Sequence, residues 1–145
     1  MIKIGNSVSN ISVYFYQPKD KKELESIIQN RISKEGPDCD LNDIDTSNIT
    51  DMSFLFYKSK FNGDIFRWNV SNVRDMYCMF IGSKFNKDIS KWDVHNVENM
   101  ACMFEYSKFN QDISNWNINE DCDTIHIFDG CPIKDEYKPK TLQKK

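Results

Sequence analysis

Residues 61–80 read FNGDIFRWNVSNVRDMYCMF, residues 85–104 read FNKDISKWDVHNVENMACMF, and residues 109–128 read FNQDISNWNINEDCDTIHIF. Phe61, Phe85 and Phe109 open the same phrase at a period of 24 residues. One period earlier, residues 37–56 read PDCDLNDIDTSNITDMSFLF, with Leu41, Ile44, Ile49, Met52, Leu55 and Phe56 in the same apolar slots. A fixed period of this size implies units that cannot bury their apolar faces alone and must stack on one another. The expected fold class is therefore an α/β solenoid of strand–helix repeats. Stacked repeats favour binding over catalysis.

Within each repeat, Phe-Asn-x-Asp-Ile-Ser alternates apolar and polar residues and predicts a short strand. Trp68, Trp92 and Trp116, with Ile44 in the first copy, are expected to plug the corner that follows. Val73, Met76, Met79 and Phe80 recur at i, i+3, i+6 and i+7, the spacing of one helical face. Asn48, Asn72 and Asn96 precede that segment and read as helix N-caps, with Asp51, Asp75 and Asn99 three residues on. The fourth copy decays: Asn119-Glu120-Asp121 replaces Ser-Asn-Val, and Gly130-Cys131-Pro132 breaks the segment.

Residues 1–36 do not fit the period and read as a β–α cap over the first repeat. Residues 11–16, ISVYFY, are β-branched and aromatic, and predict a strand paired with Ile2-Lys-Ile4 across Gly5-Asn6-Ser7. Asp20 and Glu23 form a capping-box pattern, Leu24, Ile27, Ile28 and Ile32 follow at helical spacing, and Gly36-Pro37 ends the helix. The repeats fill 37–132, divided as 37–60, 61–84, 85–108 and 109–132. Residues 133–145 form a polar, Lys-rich C-terminal tail that is expected to fray.

Charge is unevenly placed. The repeats carry 8 Lys and Arg against 16 Asp and Glu, whereas both ends are mildly basic. That balance argues against direct nucleic-acid binding, which needs clustered cations. No run of 18 apolar residues suggests a membrane span. The start lacks a basic segment followed by an apolar one, so the chain as given is expected in the cytoplasm. Cys39, Cys78, Cys102, Cys122 and Cys131 are odd in number and form no CxxC pair, which suits reduced thiols.

The recurrence of D-I-S-x-W, S-N-V and M-F in register resembles the BspA-like leucine-rich-repeat family, specifically the mycoplasma-type surface-protein repeat of unknown function. The resemblance spans about residues 38–131 and implies a leucine-rich-repeat-like solenoid of about four 24-residue strand–helix repeats. It also implies a binding role, with surface or adhesion function for a longer family member at the cell surface. It supplies no catalytic residues.

The Asp40, Asp64, Asp88 and Asp112 ladder is expected to accept backbone or Asn side-chain hydrogens, with cation binding and an acidic contact stripe as alternatives. Cys78 and Cys102 read as small core filler, and His95 and His126 are too isolated for a zinc site. No phosphate loop, HExxH or GxSxG motif is present, so no enzyme, cofactor or metal is expected. Positions that vary between copies are the candidate partner contacts: Gly63, Lys87 and Gln111; Phe66, Ser90 and Ser114; Arg67, Lys91 and Asn115. Tyr77 and Tyr106 join them from the other edge of the repeat. The expected function is a non-enzymatic protein-binding module using these side chains. The alternatives are a small acidic inhibitor of a host nucleic-acid enzyme, encoded by a mobile element, or a surface adhesion repeat. Monomers and end-to-end dimers both fit two open stack ends.

Overall fold

Every second backbone amide in the second half of a repeat points to the next repeat. In a computed structural model that describes residues 14–142, the N–H groups of Met52, Phe54, Phe56 and Lys58 donate to the carbonyls of Asp75, Tyr77, Met79 and Ile81 at 2.8–3.0 Å. Met76, Cys78, Phe80 and Gly82 donate to the third repeat in the same register, and Met100, Cys102, Phe104 and Tyr106 to the fourth. The amides between them turn inward: Leu55 donates to Met52, Tyr57 to Phe54 and Ser59 to Phe56. The four repeats thus lie on one another as rungs made of overlapping turns.

This geometry overturns the strand–helix repeat and, with it, the α/β leucine-rich-repeat solenoid. Among the described residues there is one α-helix, α1 (Lys21–Glu35), and two short 3-10 turns, Asp135–Tyr137 and Lys140–Leu142. Extended pairing is limited to isolated parallel bridges, Tyr16 with Ile44, Asp51 with Asp75, Asp75 with Asn99, and Asn99 with Asp123. The expected helical segment fails because Phe54, Cys78, Cys102 and His126 sit at φ of 55–59°. Four residues on, Lys58, Gly82, Tyr106 and Gly130 sit at φ of 50–69°. A left-handed third residue closes a turn and cannot continue a right-handed helix. For a non-glycine residue that conformation costs about 1–2 kcal/mol, which the inter-rung bonds must offset.

The expected strand fails for a related reason. Asp40, Asp64, Asp88 and Asp112 each accept the N–H two residues on, at 2.8–2.9 Å. Asp45, Asn69 and Asp93 do the same at the next corner, and Asp51, Asp75, Asn99 and Asp123 at the third. Short polar side chains that capture local amides compete with a sheet ladder. The asparagines read as helix caps serve another purpose. Asn72 Nδ2 donates to the Ser47 carbonyl and Asn96 Nδ2 to that of Ser71, so they tie each rung to the one before.

The core is built from columns of like residues. Phe56, Phe80, Phe104 and Phe128 stack with ring centroids 5.4–5.8 Å apart. Phe61, Phe85 and Phe109 repeat at 6.1 and 6.2 Å, and Trp68, Trp92 and Trp116 at 6.4 Å. Each indole N–H donates to a carbonyl of the rung before: Leu41, Ile65 and Ile89. The tryptophans are core, as their periodicity suggested. In the fourth repeat the turn shifts by one residue. Cys122 donates to Asn119 and is buried where Val73 and Val97 sit, while Asp121 stays exposed.

The sequence signals for α1 hold. Asp20 caps it by accepting the Glu23 N–H at 3.0 Å, and Gly36 ends it at φ 94°. Leu24 and Ile28 face the first rung, and buried Arg31 binds Asp43, Glu35 and the Asp40 carbonyl. Burial works against the Arg31 charge, but the hydrogen bonds it donates to Asp43 and Glu35 outweigh it and push its pKa up. The strand ahead of α1 is described only near Tyr16, whose carbonyl accepts the Asp45 N–H while its own N–H donates to the Asp43 carbonyl. The rest of that strand, and Ile2-Lys-Ile4, lie outside the described residues.

The tail does not fray over 133–142. Ile133 is buried one period after Phe109, and Lys134 donates to Asn110 Oδ1. That bond extends the ladder in which Asn86 donates to Asn62 Oδ1 and Asn110 to Asn86 Oδ1. Tyr137 accepts from Ile113, and Leu142 packs on the core. Residues 133–142 thus form the first half of a fifth rung.

One slot distinguishes the first interface from the others. A Cβ on Gly63 would lie 1.8 Å from the Cys39 carbonyl oxygen, whereas Lys87 and Gln111 occupy the same slot in later rungs. Gly63→Ala should lower stability by about 1–3 kcal/mol in denaturant unfolding. Lys87→Ala at the exposed counterpart should stay within ~0.5 kcal/mol.

Candidate functional site

Three of the sequence candidates meet in one place. Gly63, Phe66 and Lys87 line a shallow concavity of about 580 Å³ together with Asp38, Asn62, Asp64 and Asp88. Four of these seven lining residues are charged. Gly63 is buried and offers no side chain. Phe66 is half-buried, and its N–H is held by Asp64 at 2.9 Å. Lys87 is exposed and shares the hollow with Asp64 and Asp88.

The other candidates spread along the same repeats. Arg67 lies in an adjoining hollow with Asp40, Asn42, Asp43 and Asp64, its N–H bound to Asn42 Oδ1. Lys91 and Asn115 are exposed in the matching slots. Ser90 and Ser114 are half-buried and committed to turns with Asp88 and Asp112. Gln111 reaches back to Asn86 through Nε2 at 3.1 Å, and so serves the Asn ladder. Tyr77 and Tyr106 line neither hollow. Tyr77 meets Phe54 edge-on at 5.3 Å, and Tyr106 is 68% exposed with its ring lying against Gly130.

Sequence reasoning missed Asp38 and Phe54. Phe54 is 43% exposed and also contacts Tyr57 at 5.7 Å. The signal was present: an aromatic residue stands where later repeats have Cys78, Cys102 and His126.

The carboxylate column is exposed at Asp40, Asp64, Asp88 and Asp112, and each member is occupied by its own turn amide. Among the described residues no cluster of three or more His, Cys, Asp or Glu is arranged to hold a metal ion. Burial pushes the Cys39, Cys78 and Cys131 thiols up, and burial together with the Glu105 side chain pushes Cys102 to about 12. No helix among the described residues is long and apolar enough to cross a membrane.

The rung architecture and its acidic, shallowly grooved face define a repeat protein that presents periodic side chains. The family described as "Mycoplasma protein of unknown function, DUF285" matches residues 22–138, and the chain belongs to it. No curated protein and no solved structure is significantly similar to this chain.

The Asp112 carboxyl is held below its usual range by hydrogen bonds from the Ser114 hydroxyl and N–H, with attraction from Lys140 behind them. A depressed folded pKa adds stability above the unfolded value, which is lost as pH falls through the folded one. The stability gap between wild type and Asp112→Asn, measured by urea unfolding, should therefore be largest at neutral pH and close as the carboxyl protonates.

Proposed function

We propose that the chain is a non-enzymatic protein-binding module that recognises its partner through the concavity around Phe66 and Lys87. The observation that carries this reading is the break in the repeat at that point. Phe66 stands in a slot that holds Ser90 and Ser114 in later rungs, and it lies among charged residues. A half-buried aromatic on a rigid surface offers contact area at low entropic cost, which is the character of an interface anchor. Lys87 and Arg67, set among Asp38, Asp64 and Asp88, supply charges that select orientation. A surface-adhesion role, as in BspA-like repeat proteins, rests on the shared phrase alone.

A second reading has its own support. The exposed column Asp40, Asp64, Asp88 and Asp112 is a regular acidic stripe that could occupy a basic nucleic-acid channel, as a small acidic inhibitor would. The two readings differ in salt dependence, because an acidic mimic loses affinity steeply as ionic strength rises.

The test is capture from a lysate of the source organism on immobilised wild type and on Phe66→Ala, at low and high salt. The anchor reading predicts a protein retained at both salts by wild type and lost, by about tenfold or more in affinity, with Phe66→Ala. A partner bound equally by both forms contradicts it. A basic nucleic-acid enzyme held only at low salt supports the inhibitor.

A further inference from the structure

Among the described residues the stack is closed at one end and open at the other. At the first rung α1 covers the core, and Lys21 Nζ donates to the Ser53 carbonyl at 2.9 Å. Ser53 O stands one period before Tyr77 O, which takes the Phe54 N–H. A lysine ammonium thus replaces the missing rung there.

At the last rung the matching donors are Thr124, His126, Phe128 and Gly130, one period after Met100, Cys102, Phe104 and Tyr106. Each of the earlier four donates to a carbonyl 23 residues on. Among the described residues the N–H groups of Thr124, His126, Phe128 and Gly130 have no acceptor. Residues 133–142 supply only the first half of the next rung, which lies over Phe109 and Ile113, and among the described residues no backbone carbonyl pairs with the 124–130 edge. The Phe56–Phe80–Phe104–Phe128 column also ends here. Phe128 is half-buried with the Lys138 ammonium 5.7 Å from its ring centroid, and Ile125 is 58% exposed.

We propose that the edge formed by residues 124–130 is a docking site for a polypeptide segment of the chain's own phrase, N-M-x-x-M-F, supplied by another molecule. Two requirements select this occupant. The edge offers donors alone at two-residue spacing, because the Thr124, His126 and Phe128 carbonyls are turned into their own rung by Ile127, Asp129 and Cys131. An extended strand presents donors as well as acceptors and would leave its own amides facing those of the edge. A segment in the turn conformation of residues 99–105 directs its free carbonyls to one side and its amides to the other or into itself. It also brings a phenylalanine into line with Phe128. A second intact copy presents no matching edge, since its first rung carries α1. The edge shares no residue with the Phe66 concavity, so the two readings fail independently.

The experiment is amide hydrogen exchange by NMR on the full chain, alone and with a peptide of residues 97–108 carrying Cys102→Ser. In the free chain the amides of Thr124, His126, Phe128 and Gly130 should exchange faster than those of Met100, Cys102, Phe104 and Tyr106. The peptide should slow the first four by ~10-fold or more, and a scrambled peptide should not. A chain lengthened after Lys145 by residues 98–108 continues the register directly, and should show the same protection while no longer responding to the peptide. Protection already present in the free chain would overturn the proposal. Concentration dependence would then assign the cover to a second copy, and its absence to the chain's own first 13 residues. Fast exchange at all four amides with peptide bound in excess would also overturn it.

Discussion

The division of backbone amides between a rung and its neighbour governs the rest of the structure. From Met52 to Ser59, even-numbered amides reach the second rung and odd-numbered ones close turns within the first. Neither a helix nor a sheet permits that division, since one keeps every bond local and the other sends every bond across. It requires a left-handed residue at alternate turns, and Phe54, Lys58, Cys78, Cys102, Tyr106 and His126 adopt it with side chains in place, while Gly82 and Gly130 fill it elsewhere. Each net hydrogen bond contributes about 0.5–1.5 kcal/mol, so the inter-rung bonds from Met52, Phe54, Phe56 and Lys58 are by themselves enough to hold Phe54 and Lys58 in the strained conformation.

Stacking follows from that register. A 24-residue period brings identical side chains over one another, so aromatic columns and asparagine ladders form without further design. Identical polar side chains satisfy identical needs: the Asn ladder bonds the next rung's amide, and each Asx side chain bonds the amide two residues on. The variable positions are then open to a partner only where the residue is exposed and its side chain is not engaged in the stack. Lys87, Lys91 and Arg67 are exposed, whereas Gly63 is buried, Ser90 and Ser114 are half-buried in their Asp turns, and Gln111 bonds Asn86.

The period, the buried slots, the tryptophan column and the α1 caps were all legible, because each depends on composition at fixed spacing. The conformation between those slots was not. The Met79 N–H closes a turn on the Met76 carbonyl and the Val73 N–H one on the Val70 carbonyl, so these turns place apolar residues three apart, the spacing also found on a helical face. Gly82 and Gly130 marked one left-handed slot, but Lys58 and Tyr106 fill it elsewhere and masked the signal. Asp-Ile-Ser reads as alternation until the aspartate is seen to take the serine amide. The candidate concavity was half legible: Phe66 and Lys87 stood out by variation, while Asp38 and the buried state of Gly63 depend on how the first two rungs meet.

The central claim is that Phe80 and its equivalents bond across rungs and not along a helix. Through-hydrogen-bond scalar couplings measured by NMR test it directly. The account predicts a coupling from the Phe80 amide nitrogen to the Met103 carbonyl, and likewise from Phe56 to Met79 and Phe104 to Ile127. A coupling from the Phe80 amide to the Met76 carbonyl would show a helical repeat and contradict it.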